Sequence, residues 1–341
     1  MLTSNRVFIV AELSANHGGS LVHMKKLIKI AKKSGADAVK IQSYDAQAMT
    51  INSQKKDFLI DSKNPWSKFE NLWSLYSYGE TPYNWHQKIF QYAKKIKIPI
   101  FSSPFSTRYI DLLEKLNCPI YKVASPEINH FELLEKIAKT GKAVILSSGV
   151  STVKDIDSAI KVLKKYKSGP ISILKCVTSY PAHLNDLNLN SIKFLLKKYP
   201  YRIGFSDHSI SHIPAITAVA LGATIVERHL TISDNPKSSI DSFFSSNEEN
   251  FKKYVKSIRD CEISLGKSEL NISQSSKKSL KFKRSIYCCK EIKKGETFTR
   301  HNISIIRPSF GLNPKYFKKI LNKPSKKNYK IGDRIAQIEV L

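Results

Sequence analysis

The sequence predicts an α/β protein whose main body is a closed (β/α)8 TIM barrel, followed by a small β-rich domain. Three observations carry this. Eight short β-rich apolar runs alternate with amphipathic, lysine-bearing segments between Arg6 and Gly266, and eight parallel strands with crossover helices over roughly 250 residues close into such a barrel. The helical segments place apolar residues at i, i+3, i+4 and i+7. After Gly266 the rhythm stops: 267–283 is polar and rich in serine and lysine, as a linker is, and 284–341 offers short strands with Gly or Pro turns. A doubly wound open sheet is the alternative arrangement of the same alternation.

In order, the strand-like runs are "RVFIVAEL", "AVKIQSY", "PIFSSPF", "IYKVAS", "AVILSS", "ISILKC", "RIGFSD" and "TIVERHL". They read as near-continuous apolar segments, as strands buried on both faces do. Between them lie "LVHMKKLIKIAKKSG", "TRYIDLLEKLN", "FELLEKIAKTGK", "VKDIDSAIKVLKKYK" and "LNSIKFLLKKYP". Several of these end in Gly, Asn or Tyr-Pro, residues that stop helices. One insertion, from Asp45 to Thr81, breaks the rhythm between the second and third strands. With its flank it holds "NPWSKFENLWSLYSYGETPYNWHQ", a density of aromatic side chains suited either to packing on the barrel rim or to walling a substrate.

The chain of 341 residues is long enough to bury a large core. No stretch approaches the roughly 18 consecutive apolar residues of a membrane span, and the N-terminus lacks the charged, apolar and small-residue order of a signal peptide. A cytoplasmic location is expected. Five cysteines, Cys118, Cys176, Cys261, Cys288 and Cys289, are scattered without C-x-x-C spacing, which argues against a disulfide framework or a thiolate zinc site. The net charge of +28 admits nucleic-acid binding or merely solvated, lysine-rich helix faces. The lysines are spread in pairs at helical spacing with no nucleic-acid motif around them, so the second reading is preferred.

In a barrel the C-terminal strand ends open on the active-site face. They offer Glu12 with Asn16 and His17; Lys40 and Gln42; Ser102 and Ser103; Lys122, Ser125 and Glu127; Ser147 and Ser148; Thr178 and Tyr180; Ser206, Asp207 and His208; Glu227 and His229. Two lysines on buried strands with a ring of hydroxyls form a donor-rich surface for phosphate or carboxylate. Glu227 and His229 share one strand face while Arg228 points toward the helices. Neighbouring strands lie about 4.8 Å apart, so His208 and His229 can converge on one ion. Two protein nitrogens would leave positions open for water and substrate. Hydrogen-bonded core histidines are the alternative for this pair.

The ordered set "AELSANHGG", "VKIQSY", "FSSPF", "YKVASPE", "LSSG", "CVTSYPA", "FSDHS" and "ERHLT" resembles the sialic acid synthase family. "RSIYCCKEIKKGETFT" followed by "IIRPSFGLNPKY" resembles its C-terminal antifreeze-like (SAF) domain. The resemblance covers nearly the whole chain. It implies condensation of phosphoenolpyruvate with an open-chain amino-sugar aldehyde to a nine-carbon 2-keto acid, with release of phosphate. A divalent ion, manganese or alternatively magnesium or cobalt, is implied with it, and His208 and His229 look like its ligands. Lys40, Ser103, Lys122, Ser125, Ser147, Thr178, Tyr180 and Ser206 look like the phosphoenolpyruvate cradle. Glu12, Gln42 and Asp241 would face the sugar, and Glu12, Lys122 and Glu227 carry the catalytic roles, Glu227 managing the attacking water. Arg307 resembles an arginine that the small domain sends into the partner's barrel, which implies a swapped homodimer.

The aromatic insertion, "ASPEI", "DSFFS" and "RPSFGLNPK" look most like the branch that makes pseudaminic acid from 2,4-diacetamido-2,4,6-trideoxy-altrose. Trp66, Trp73 and Trp85 are candidate walls for so apolar a sugar. The chain departs from that branch at Ser106, Pro126 and the arginine of "ERH". The N-acetylneuraminic and legionaminic branches are the alternatives, and a basic nucleic-acid-binding protein is the alternative of another class.

Overall fold

The computed structural model describes residues 6–233, 235 and 238–340, and the chain divides into two compact units, 1–266 and 267–341. In the first, β1 (Phe8–Glu12), β2 (Ala38–Ser43), β3 (Ile100–Pro104), β4 (Ile120–Val123), β5 (Ala143–Ser147), β6 (Ile171–Cys176), β7 (Arg202–Asp207) and β8 (Ile225–His229) form a closed parallel barrel in sequence order. β8 returns to β1 with His229 opposite Glu12. Closure excludes the open-sheet alternative.

Register explains which side chains enter the barrel. Cys176 pairs with Ser206, Ser206 with Glu227, and Glu12 with both His229 and Lys40, so these side chains share the inner face. Below this layer the interior is tight at Gly204, where an added Cβ would come within 2.5 Å of Leu174 Cδ2 and of the Ile225 carbonyl. Glycine is required there by close approach.

The opposite parity faces the helices. The helix Phe131–Lys139 buries Leu133, Leu134, Ile137 and Ala138 on one stripe, and the helix Val153–Lys165 starts in a capping box between Thr152 and Asp155. Arg228 also lies in this layer, as its parity predicts. It pairs with Asp207 at 2.9 Å, donates to Ser246 Oγ at 2.7 Å and stacks on Tyr254, 4.6 Å from the ring centroid. Two strand-end residues expected at the mouth are therefore elsewhere. Asp207 serves Arg228, while Ser102 bonds Ser43 Oγ at 2.6 Å, which in turn bonds His86 Nε2 at 2.8 Å. Both sit one residue out of phase with the inner face.

The 45–81 insertion contains a helix, Leu72–Gly79, capped by Asn71, whose Oδ1 accepts from Ser74 N at 2.9 Å. Among the described residues no helix is long and apolar enough to cross a membrane. The second unit has its own core, including Ile286, Phe298, Ile303, Leu312, Ile320 and Tyr329. Its regular sheet is small: β9 (Ser285–Cys288) pairs antiparallel with β10 (Ile303–Ile306). The stretch expected as a linker carries short helical turns at Gln274–Lys277 and Lys278–Phe282. All five cysteines are free.

Candidate active site

At the C-terminal mouth of the barrel lies a cleft of about 290 Å³ whose lining includes Lys40, Gln42, Lys122, Ser125, Ser147, Thr178, Tyr180, Ser206, His208, Glu227, His229 and Asp241. Asn16, His17 and Ser148, expected at the strand ends, are not part of the lining, but the residues given substrate, metal or catalytic roles are delivered to one place, with three exceptions. Ser103 Oγ accepts from Lys40 Nζ at 3.4 Å and is not part of the lining. Glu12 is fully buried beside Lys40, ion-paired with it at 2.9 Å and accepting from Ser14 N at 3.0 Å, and is not part of the lining. Arg307 is exposed at the end of β10 in the other unit.

The floor is a charge lattice. Lys40 Nζ sits 2.9 Å from Glu12 and 3.2 Å from Glu227, and Lys122 Nζ donates to Ser147 Oγ at 2.6 Å. Burial works against the Lys40 ammonium, but the two carboxylates outweigh it and raise its pKa. Lys122 lacks such a partner, and burial lowers its pKa. Burial would raise Glu227, yet Lys40 and Lys122 hold it below the usual carboxylate range. Glu12, the deeper of the pair, is raised by burial. The arrangement packs two lysines and two carboxylates into one buried layer, with Glu227 the carboxylate that the lysines favour in its charged form.

The two histidines stand with ring centroids 5.3 Å apart. His208 Nδ1 lies 2.8 Å from the Val177 carbonyl, so it carries a proton and Nε2 is the nitrogen available to a ligand. Burial works against an imidazolium at His208, but the neighbouring Cys176 outweighs it and raises the pKa. His229 Nδ1 is buried without a hydrogen-bond partner. Burial, with His208 nearby, holds that imidazole neutral, well below its ordinary pKa. Two imidazoles with nitrogens to spare fit a divalent ion. Among the described residues no three His, Cys, Asp or Glu side chains form a ready-made ion cage, so an ion bound by this pair keeps open positions.

Further groups line the cleft without having been singled out at the strand ends. Ser14, Tyr44 and Cys176 each continue the inner parity of their strands, so alternation carried one step further reaches them. Ser14 Oγ donates to Asp241, and Cys176 Sγ lies 3.8 Å from His208 Nδ1. Leu75, Tyr76 and Trp66 come from the insertion, and Phe105 and Phe244 from loops. Trp66 donates to the Ile240 carbonyl at 2.9 Å and packs 5.7 Å from Tyr180. Of the other expected wall residues, Trp85 packs edge-on against His17 and Trp73 is not part of the lining. Gly79 permits this closure, since a Cβ there would meet Ile240 Cδ1 at 2.7 Å and Tyr44 Oη at 2.8 Å.

Comparison with known proteins decides the family. Residues 27–270 match the model of the NeuB family. The chain belongs to the NeuB family. It is 41% identical over 335 residues to the pseudaminic acid synthase of Campylobacter jejuni, covering 98% of this chain and 97% of that one. Identity to the Helicobacter pylori pseudaminic acid synthase is also 41%, over 333 residues and 97% of each chain. The crystal structure of an N-acetylneuraminic acid synthetase from Leptospira borgpetersenii, in complex with citrate, superposes with a TM-score of 0.71 at 31% identity, covering 81% of this chain and 90% of that one. This NeuB member is a sialic acid synthase relative, as the ordered motifs imply, and its catalytic unit is a TIM barrel.

Proposed function

We propose that this chain condenses phosphoenolpyruvate with 2,4-diacetamido-2,4,6-trideoxy-altrose, giving pseudaminic acid and phosphate. The observation that carries the reading is a set of buried polar atoms without partners around one cleft: Thr178 Oγ1, Glu127 Oε2, Glu227 Oε2 and His229 Nδ1. Buried polar groups are almost always satisfied, so a cluster of orphans marks a place where ligand atoms complete the bonding. Lysines below and aromatic rings above suit an anionic substrate on the floor and a largely apolar sugar over it. The similarity to pseudaminic acid synthases supports that sugar.

Lys40 and Lys122 hold the carboxylate and phosphate of phosphoenolpyruvate, assisted by hydroxyls of Ser147, Thr178 and Ser206, with Ser103 steadying Lys40. Ser125 Oγ accepts from Val150 N at 2.8 Å, leaving its own proton for the ligand, and Tyr180 closes the side. A divalent ion, manganese in the first instance, would be held by His208 and His229 and would supply Lewis-acid polarisation of the aldehyde. C3 of phosphoenolpyruvate bonds to the aldehyde carbon, whose oxygen takes a proton to become a hydroxyl. Water adds at C2 as Glu227 Oε2 accepts its proton. The tetrahedral carbon then expels phosphate by C–O cleavage, its new hydroxyl passing its proton to the leaving phosphate as the ketone forms. Gln42 and Asp241 position the sugar, and Glu12 fixes Lys40 through their ion pair. In this reading the second unit is the antifreeze-like domain, Arg307 serves the barrel of a partner subunit in a homodimer, and the reaction is cytoplasmic.

The test is phosphate release with product mass for phosphoenolpyruvate, manganese and three sugars in parallel: the altrose derivative, its 2,4-diacetamido-trideoxy-mannose counterpart and N-acetylmannosamine. Turnover favouring the first is expected. Turnover confined to either other sugar moves the chain to the legionaminic or N-acetylneuraminic branch.

A further inference from the structure

The two candidate metal ligands are held by unequal means. His208 Nδ1 is fixed by the Val177 carbonyl at 2.8 Å, whereas His229 Nδ1 has no hydrogen-bond partner. A ligating histidine is ordinarily oriented by a hydrogen bond at its second nitrogen. At His229 the orientation must come from the backbone that carries the ring and from the rings packed on it.

One buried side chain grips that backbone on both sides of both histidines. Arg228, 3% exposed, stands immediately before His229, as Asp207 stands immediately before His208, and the two are register partners across β7 and β8. The Arg228 guanidinium bonds Asp207 Oδ2 at 2.9 Å, ahead of His208, and donates to the carbonyls of Ile210 at 2.8 Å and Ser211 at 3.1 Å, beyond it. Its Nε donates to Ser246 Oγ at 2.7 Å. Ser246 in turn is tied to the end of β8: its N–H donates to the His229 carbonyl at 2.9 Å, and its carbonyl accepts from Thr231 N at 2.8 Å. Phe244, the ring 4.7 Å from His229, lies two residues before it. Asp207 also accepts from Ser209 N at 2.9 Å, Ser209 Oγ at 2.6 Å and the Tyr254 hydroxyl at 3.0 Å. A planar guanidinium fork serves such a spread of acceptors, and the single ammonium of a lysine does not span it.

We infer that Arg228, from outside the barrel, is the positioning residue that sets His208 and His229 against one another and so governs their affinity for a divalent ion. The inference rests on the proposed metal site. None of the acceptors that Arg228 bonds belongs to β2 or β4, which carry Lys40 and Lys122, so phosphoenolpyruvate binding does not depend on it.

The test measures manganese affinity by calorimetry on the metal-free full chain, with urea midpoints and phosphoenolpyruvate affinity alongside, for wild type, Arg228→Lys, Ser246→Ala and a control, Asp37→Asn. Arg228→Lys keeps a charge beside Asp207 and loses the fork, while Ser246→Ala removes one arm of the grip. Asp37→Asn weakens the pair that Asp37 makes with Arg259 at 2.6 Å, directly before β2 and so at the barrel end away from the histidines. Loss of a group that orients a metal ligand weakens metal binding by about 10- to 100-fold, so Arg228→Lys is expected near the upper figure and Ser246→Ala near the lower. Phosphoenolpyruvate affinity should hold in both. Asp37→Asn should lose stability and keep the wild-type manganese affinity. Wild-type manganese affinity in either Arg228→Lys or Ser246→Ala would overturn the assignment, as would a manganese affinity that falls in Asp37→Asn in step with its stability. If Arg228→Lys does not fold, Ser246→Ala decides alone, since it leaves the pair of Arg228 with Asp207 in place. A wild type that binds no manganese would overturn the proposed metal site, and this inference with it.

Discussion

Replacing His229 with alanine is expected to abolish metal-dependent turnover while the protein remains folded. The imidazole Nδ1 makes no hydrogen bond within the protein, and the ring packs against Phe244 at 4.7 Å and His208 at 5.3 Å. Removing it therefore strands no buried partner, which is the usual cause of large destabilisation. What is lost is one of two nitrogens available to an ion, and Lewis-acid assistance worth several kcal/mol makes the rate loss on the order of a thousandfold or more. Manganese binding by calorimetry, urea unfolding and turnover would be read together. Normal unfolding with weak metal binding and no activity is predicted; near-normal activity would remove the metal role from this residue.

The second large effect concerns Glu227. Glu227→Gln keeps the shape, and Lys40 retains Glu12 at 2.9 Å, so the lysine floor and phosphoenolpyruvate affinity should persist. An amide cannot take the proton from water adding at C2. Loss of a general base of this kind lowers kcat by about a hundred- to ten-thousandfold. Single-turnover measurements with saturating substrates would show the loss in the chemical step, with the phosphoenolpyruvate dissociation constant nearly unchanged. A kcat within tenfold of wild type would transfer the base role elsewhere.

Most of the barrel is legible in the sequence because buried parallel strands announce themselves. Each of the eight apolar runs contains one observed strand, trimmed by up to three residues. The site follows from strand parity: Glu227 and His229 point inward, and Arg228 points outward to Asp207. Ser102 and Asp207 break the expectation for the same reason, since each is one step out of phase with the neighbours it was grouped with. Glu12 obeys parity but is covered by the longer side chain of Lys40, its register partner on the adjoining strand. Tyr76, Trp66 and Phe244 reach the cleft through loop paths, and no local pattern in the sequence marks where a loop will return. Trp73 and Trp85 show the converse: aromatic density predicts a wall, and packing chooses which rings form it.

If phosphoenolpyruvate is joined to a sugar through water addition at C2, the oxygen that bridges carbon and phosphorus must leave with the phosphate. Phosphoenolpyruvate carrying 18O at that bridging position, with both products analysed by mass, reads this in one reaction. A nine-carbon keto acid without label, together with phosphate that carries it, is the expected pair of products. Label retained in the acid, or labelled pyruvate without carbon–carbon bond formation, would rule the mechanism out.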